Sequence, residues 1–169
     1  MLSQLFTCPI CLDLLLLPTI IQCGHTFCKS CISDALTLNE NCCLCRKKSH
    51  GHLISNSNLQ AIIEHLLESG GSLNGISFDL YQQKKKESIE EMKLKNSARL
   101  VIFELLNESK DSCFELVQLR SLFTKHQSKL PPFTDKLLDA VRKEIFYNNG
   151  SYLSVKDVDD NIIVTRNNK

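Results

Sequence analysis

The chain has 169 residues, with 20 basic and 19 acidic side chains for a net charge of +1. With 43% hydrophobic and 23% charged residues it has ordinary globular composition, which excludes a basic nucleic-acid coat and an acidic disordered chain. The longest apolar run, Leu14 to Leu17, is cut off by Pro18. That falls far short of the ~20 residues a membrane helix needs. The segment Met1 to Phe6 lacks the basic flank and cleavage site of a signal peptide. An intracellular location, nuclear or cytoplasmic and away from membranes, is therefore expected.

Nine cysteines are the anomaly, and eight of them lie between Cys8 and Cys45. In a reducing compartment such a cluster points to metal rather than to disulfides. The spacing is C-x2-C-x11-C-x1-H-x2-C-x2-C-x10-C-x2-C. Seven thiolates and one imidazole suffice for two tetrahedral zinc ions, and a C-x2-C knuckle lets two sulfurs reach one ion from a tight turn.

This pattern resembles the RING finger family of the type with three cysteines, one histidine and four cysteines. The resemblance implies interleaved sites, with Cys8, Cys11, Cys28 and Cys31 on one zinc and Cys23, His25, Cys42 and Cys45 on the other. In such a cross-brace neither ion is held until the whole segment has closed. Metal binding then supplies most of the folding energy, on the order of 10 kcal/mol or more per structural ion. About 50 residues cannot bury enough apolar surface unaided. The resemblance also implies ubiquitin ligase activity. Such a module holds a ubiquitin-charged conjugating enzyme beside a substrate lysine, and contributes proximity rather than a nucleophile of its own.

By the same resemblance, Ile10 in the first knuckle, Leu36 on a short helix after Cys31, and Cys43 with Leu44 in the last knuckle would meet the conjugating enzyme. Arg46, directly after the last ligand, would act catalytically by bridging ubiquitin and that enzyme, as a planar guanidinium fork can. Leu36 stands where many members have Trp, and Cys43 where they usually have Pro. Cys43 is read as a small buried apolar residue one position off the ligand register, with exchange for Cys42 as the alternative. His50 and His52 read as loop residues, and His65 and His126 as ordinary helix residues.

After the module, Ser57-Asn58-Leu59-Gln60 reads as a capping box with Ser57 as N-cap. The helix it opens carries Leu59, Ile62, Ile63, Leu66 and Leu67 as one apolar stripe, and Gly70 and Gly71 end it. Leu2, Leu5 and Phe6 form a short apolar set before the module. The two flanks either bury each other within one chain or form a homodimer contact. No second Cys/His cluster follows, so the B-box of tripartite-motif proteins is not expected. Residues 69–95 read as a linker or charged helix, and Lys84-Lys85-Lys86 as a solvated helical face with a weak nuclear-import signal.

From Asn96 the pattern is compact again. Ala98, Val101, Ile102, Leu105 and Leu106 mark one helix. Ser112-Cys113-Phe114-Glu115 reads as a capping box opening a second, with Leu116, Leu119, Leu122 and Phe123, and places Cys113 as a core thiol on that helix. Pro131-Pro132 break the chain. Thr134 caps a third helix with Leu137, Leu138, Val141, Ile145 and Phe146, which Asn148-Asn149-Gly150 stop. Tyr152 to Val155 and Ile162 to Thr165, around an Asp157-to-Asn161 turn, read as a hairpin.

Three helices followed by a hairpin resemble a winged helix by element order. The expected fold class is thus α+β: a RING module with flanking helices over 1–68 and a winged-helix-like domain over 96–169 that recruits a substrate or adaptor protein. That domain carries 11 basic and 10 acidic residues, and its wing tip is acidic at Asp157, Asp159 and Asp160. Duplex DNA binding is therefore not favoured over protein binding. The competing functional readings are a non-catalytic zinc-dependent scaffold and a nucleic-acid-binding chromatin factor.

Overall fold

The computed structural model describes residues 2–49, 51–108, 113–115, 119, 121, 131–132, 134–147, 153–158 and 161–166. Its chain divides into two compact units, Met1–Glu90 and Glu91–Lys169. Among the described residues no helix is long and apolar enough to cross a membrane.

The first unit opens with a 3-10 turn, Leu2–Phe6, followed by strands β1 (Pro18–Ile20) and β2 (Thr26–Cys28). Helix α1 (Lys29–Leu38), strand β3 (Ile54–Ser55) and helix α2 (Ser57–Glu68) complete the module. The strands form a small antiparallel sheet in the order β2-β1-β3, with Thr19 opposite Phe27 on one side and Ser55 on the other. Proline opens β1, a position in which its missing amide costs no internal ladder bond. Phe27, Leu14, Ile21, Ile32 and Ile63 are fully buried, and Cys8, Cys28 and Cys42 share their core.

The N-cap of α2 is Asn56, not Ser57: its side-chain oxygen accepts the Leu59 amide at 3.1 Å. Gln60 reaches forward to Glu64 instead of back to the cap. Asn is as good a cap as Ser. Of the expected stripe, Ile63 and Leu67 are buried, while Ile62 and Leu66 are exposed. Phe6 packs in the same core as Ile63 and Leu67, whereas Leu5 is exposed.

Helix α3 runs from Phe78 to Glu108. Its start belongs to the first unit. Ile76 and Tyr81 are buried in that core, and the Tyr81 hydroxyl donates to the Leu15 carbonyl at 3.3 Å. The lysine run is not a solvated face throughout. Lys84 pairs with Asp13 at 2.7 Å and Lys85 with Glu64. Both carboxylates come from elsewhere in the unit, so nothing local to the run announces them.

In the second unit the later turns of α3 supply Ala98, Val101, Ile102, Leu105 and Leu106 to an aliphatic core. Strand β4 (Cys113–Glu115), helix α4 (Asp135–Tyr147) and strands β5 (Leu153–Val158) and β6 (Asn161–Arg166) follow. Cys113 to Glu115 do not cap a helix. They pair antiparallel with β6, giving the order β4-β6-β5, and Cys113 is therefore on a strand. The hairpin edge offers a row of unpaired backbone groups, and joining it satisfies more of them than a helical first turn would. Leu119 is buried in this core, and residues 119 and 121 are helical. Leu116, Leu122, Phe123 and His126 lie outside the described residues.

Thr134 caps α4 as expected, its hydroxyl accepting the Leu137 amide at 3.1 Å. Leu137, Val141 and Ile145 are buried; Phe146 is exposed. The hairpin is tighter than the sequence suggests: pairing continues to Val158 opposite Asn161, so Asp157 lies in β5. Asn148 to Tyr152, Asp159 and Asp160 lie outside the described residues. Among the described residues of this unit one charge is buried, Glu144, at 3% exposure and held by Arg99 Nε.

Candidate functional site

The first and last of the three C-x2-C knuckles are built alike. In the first, the Leu12 amide donates to the Cys8 carbonyl at 2.9 Å; in the last, the Arg46 amide donates to the Cys42 carbonyl at 2.8 Å. Leu12 and Arg46 both sit in the left-handed region, at φ 59. A non-glycine residue there carries backbone strain. Each knuckle must reverse sharply after its second cysteine, and the turn holds the strained residue in place. Between β1 and β2, Gly24 at φ 87 lets Cys23 and His25 face the same point.

Ligand atoms of Cys8, Cys11, Cys28 and Cys31 all lie within 4.8 Å of one another, and so do those of Cys23, His25, Cys42 and Cys45. Pairs distant in sequence thereby interleave, which is the cross-brace. The Sγ atoms of Cys11 and Cys28 are 3.9 Å apart. Tetrahedral zinc with bonds of about 2.3 Å to sulfur sets an edge of about 3.8 Å. His25 Nδ1 is 3.2 Å from Cys23 Sγ and 3.6 Å from Cys42 Sγ, which identifies Nδ1 as the donor atom. The cysteines of both sets are free, and 3.9 Å is far outside disulfide length.

Backbone amides address the sulfurs. Leu16 N–H donates to Cys28 Sγ at 3.2 Å, Cys28 N–H to Cys8 Sγ at 3.4 Å and Leu44 N–H to Cys42 Sγ at 3.4 Å. Such bonds orient thiolates toward a cation and lower the cost of their charge. The packed thiols titrate against each other. Hydrogen bonding to Cys28 pulls Cys8 down to about 4, while the same contact and burial push Cys28 far up. Burial, then the charges of Cys8 and Cys11, push Cys31 up to about 12. A cation among them is what would let all four sulfurs ionise together. The soft donor set, tetrahedral edge and full count of four fit Zn2+ at both places. Two structural zinc ions are the cofactors these residues hold, supplying crosslinks and no open coordination position.

Outside the quartets, Cys43 is exposed and belongs to neither. It is not the buried residue expected: the knuckle turns Cys42 and Cys45 toward one metal position and leaves Cys43 outside that set. Cys43 and Arg46 line one open groove of about 310 Å3 with Ala35, Asn39 and Asn41. Leu36 is half-buried against the core and lines a second groove. Ile10 is 37% exposed and Leu44 51% exposed on their knuckles. Arg46 is exposed, and His52 and His65 are exposed outside the quartets. His50 lies outside the described residues. Sequence reasoning missed the clasp of Tyr81, Lys84 and Lys85, for which only the unusual density of apolar residues before Lys84 was a signal.

Residues 7–45 match the family model for the zinc finger of C3HC4 type, the RING finger. An uncharacterised RING finger protein of Caenorhabditis elegans is 34% identical over 114 residues, 68% of either chain. Tripartite motif-containing protein 5 of Alouatta sara is 43% identical over 65 residues, 37% of this chain and 12% of that protein. The postreplication repair E3 ubiquitin-protein ligase RAD18 of Saccharomyces cerevisiae is 31% identical over 90 residues, 53% of this chain and 18% of that protein. The chain thus spans about two thirds of the nematode protein and less than a fifth of the other two.

Proposed function

The chain belongs to the RING finger family, and on that premise we propose that it is a ubiquitin-protein ligase of the adaptor kind. It binds a ubiquitin-charged conjugating enzyme through Ile10, Leu36, Cys43 and Leu44, and promotes transfer to a substrate lysine. The observation that carries this reading is the exposure of Ile10 and Leu44, two large apolar side chains on the rigid knuckles of two metal quartets. Apolar residues held out to solvent by a closed scaffold suit docking. Arg46 complements them. It is exposed, and its left-handed backbone is pinned by the knuckle, so the guanidinium starts from a fixed point. From there it donates to ubiquitin and enzyme together, restricting the thioester to a reactive geometry. The nucleophile is the substrate lysine and the reactive cysteine is the conjugating enzyme's; the quartet cysteines are committed to metal.

The second unit, residues 96–169 in this reading, is a winged-helix-like domain that recruits a substrate or adaptor protein. The order helix, strand, helix, hairpin supports it. Leu5, Ile62 and Leu66, exposed on the flanks, are the residues a homodimer would cover.

A lysine-discharge assay tests the ligase reading. Zinc-loaded protein is mixed with a panel of ubiquitin-charged conjugating enzymes and free lysine. Acceleration is expected, falling at least about tenfold in Ile10→Ala and in Arg46→Ala, each worth about 1.4 kcal/mol or more of transition-state stabilisation. No acceleration with any enzyme, from protein shown to hold two zinc ions, would leave the scaffold reading instead.

A further inference from the structure

Among the described residues, Leu12, Leu17, Arg46 and Asn74 hold a left-handed backbone without being glycine. Asn tolerates that conformation, Leu17 is half-buried, and Arg46 has a role in the reading above. Leu12 has no such reason. It is 76% exposed, more than any other large apolar side chain described. It therefore adds almost nothing to the core, yet leucine is strained at φ 59, where glycine or asparagine is accommodated.

The turn itself is fixed. The Leu12 amide donates to the Cys8 carbonyl at 2.9 Å, and the Cys8 amide donates to the Asp13 carbonyl at 2.8 Å. Residue 12 is thus held between Cys11 of the first quartet and Asp13, which pairs with Lys84. Folding alone is served better by asparagine, which accepts the backbone and is well hydrated. Strain and exposure together mark leucine here as serving something outside the fold.

Its neighbour indicates what that is. Ile10, read above as meeting the conjugating enzyme, is two residues away on the same knuckle and also exposed. Two residues of chain separate their Cα atoms by at most about 7 Å. That is well within the footprint of one docked protein. Cys11 between them is committed to the first quartet, so one rigid turn carries both side chains. The adjacent carboxylate, Asp13, is already satisfied by Lys84 at 2.7 Å, so an apolar partner that covers Leu12 strands no charge.

We propose that Leu12 is a second apolar docking residue for the conjugating enzyme, extending the Ile10 contact and selecting enzymes that present an apolar side chain opposite it. This rests on the ligase reading.

The test titrates a panel of ubiquitin-free conjugating enzymes against the zinc-loaded full chain, as wild type, Leu12→Asn, Leu12→Met and Ile10→Ala. Zinc content, thermal midpoint and sedimentation are read on each. Leu12→Asn is expected to keep both zinc ions and a midpoint at or above that of the wild type, because it relieves the strain. It is nonetheless expected to bind about 3- to 10-fold more weakly, through loss of a partly buried leucine contact. A purely structural role does not give weaker binding with undiminished stability. Leu12→Met, which keeps an apolar side chain of similar volume, is expected to bind within about twofold of wild type. Unchanged binding by Leu12→Asn, beside weakened binding by Ile10→Ala, overturns the proposal and leaves the ligase reading standing. So does loss of zinc or a lower midpoint in Leu12→Asn, which marks the leucine as structural. A change in sedimentation alone overturns it too, since the occupant is then a second copy of the chain. If the wild type binds no conjugating enzyme, the ligase reading fails and the proposal falls with it.

Discussion

The two units reach a packed interior by different means. In the first, Cys8, Cys28 and Cys42 are buried beside Phe27, Ile32 and Ile63, so the metal ligands are part of the core. In the second, the core is aliphatic, from Ala98 and Val101 through Val141 and Ile145 to Leu153 and Val164. The buried charge Glu144 is answered there by Arg99. The first unit's strands are two or three residues long, and its sheet could not stand alone. The six-residue strands of the second sit against helices with several buried residues each. In the first unit coordination bonds tie the chain segments that the core packs, and the knuckles so fixed carry exposed apolar residues such as Ile10 and Leu44.

The contrast breaks most visibly on removing metal. A strong chelator is expected to withdraw about 10 kcal/mol or more per ion from the first unit. Amide resonances of α1, α2 and the β2-β1-β3 sheet should collapse while those of α4, β5 and β6 keep their native shifts. Simultaneous loss of both sets would show one cooperative body. The converse perturbation is Ile145→Ala, fully buried in α4. It should cost the second unit about 2–5 kcal/mol, lowering its thermal transition while mass spectrometry still counts two zinc ions.

A smaller effect sharpens the picture within the first unit. Lys84, and then the Leu14 amide, hydrogen-bond to Asp13 and hold its carboxyl below the usual carboxylate range. Because the folded value is depressed, the pair's contribution is complete above the unfolded value near pH 4 and is lost only as pH falls through the folded one. Both groups are more than a third exposed, so Lys84→Ala should cost under about 1 kcal/mol. That cost should be the same at pH 6 and pH 8 in thermal unfolding of the zinc-loaded protein. A cost that grew across that range would point to some other titrating group.

The chemistry of the first unit was legible in the sequence because zinc coordination is a local, residue-specific demand. Three C-x2-C knuckles and one C-x-H name the donors, and their pairing followed from the family resemblance. Cap choice was less legible. Asn56 and Ser57 are both good caps by residue type, so the pattern alone does not choose, and Asn56 is the one that caps. The fate of Cys113 to Glu115 was illegible, because a Ser-x-x-Glu pattern and a short β-prone triplet coincide there, and only the free edge of β6 favoured the strand.

The sequence by itself determined the donors, their number, the buried Ile63 and Leu67 of α2, the buried Leu137, Val141 and Ile145 of α4 and the Thr134 cap, since each depends on spacing along a few turns of chain. Tertiary structure alone decided that Lys84 and Lys85 clasp Asp13 and Glu64, that Tyr81 is a core residue, that Cys43 faces out, and that Ser49 is buried with its hydroxyl unpaired. Those outcomes depend on what lies opposite each side chain across the fold. A linear pattern records the period of a chain, and carries no term for the partner that closure brings within reach.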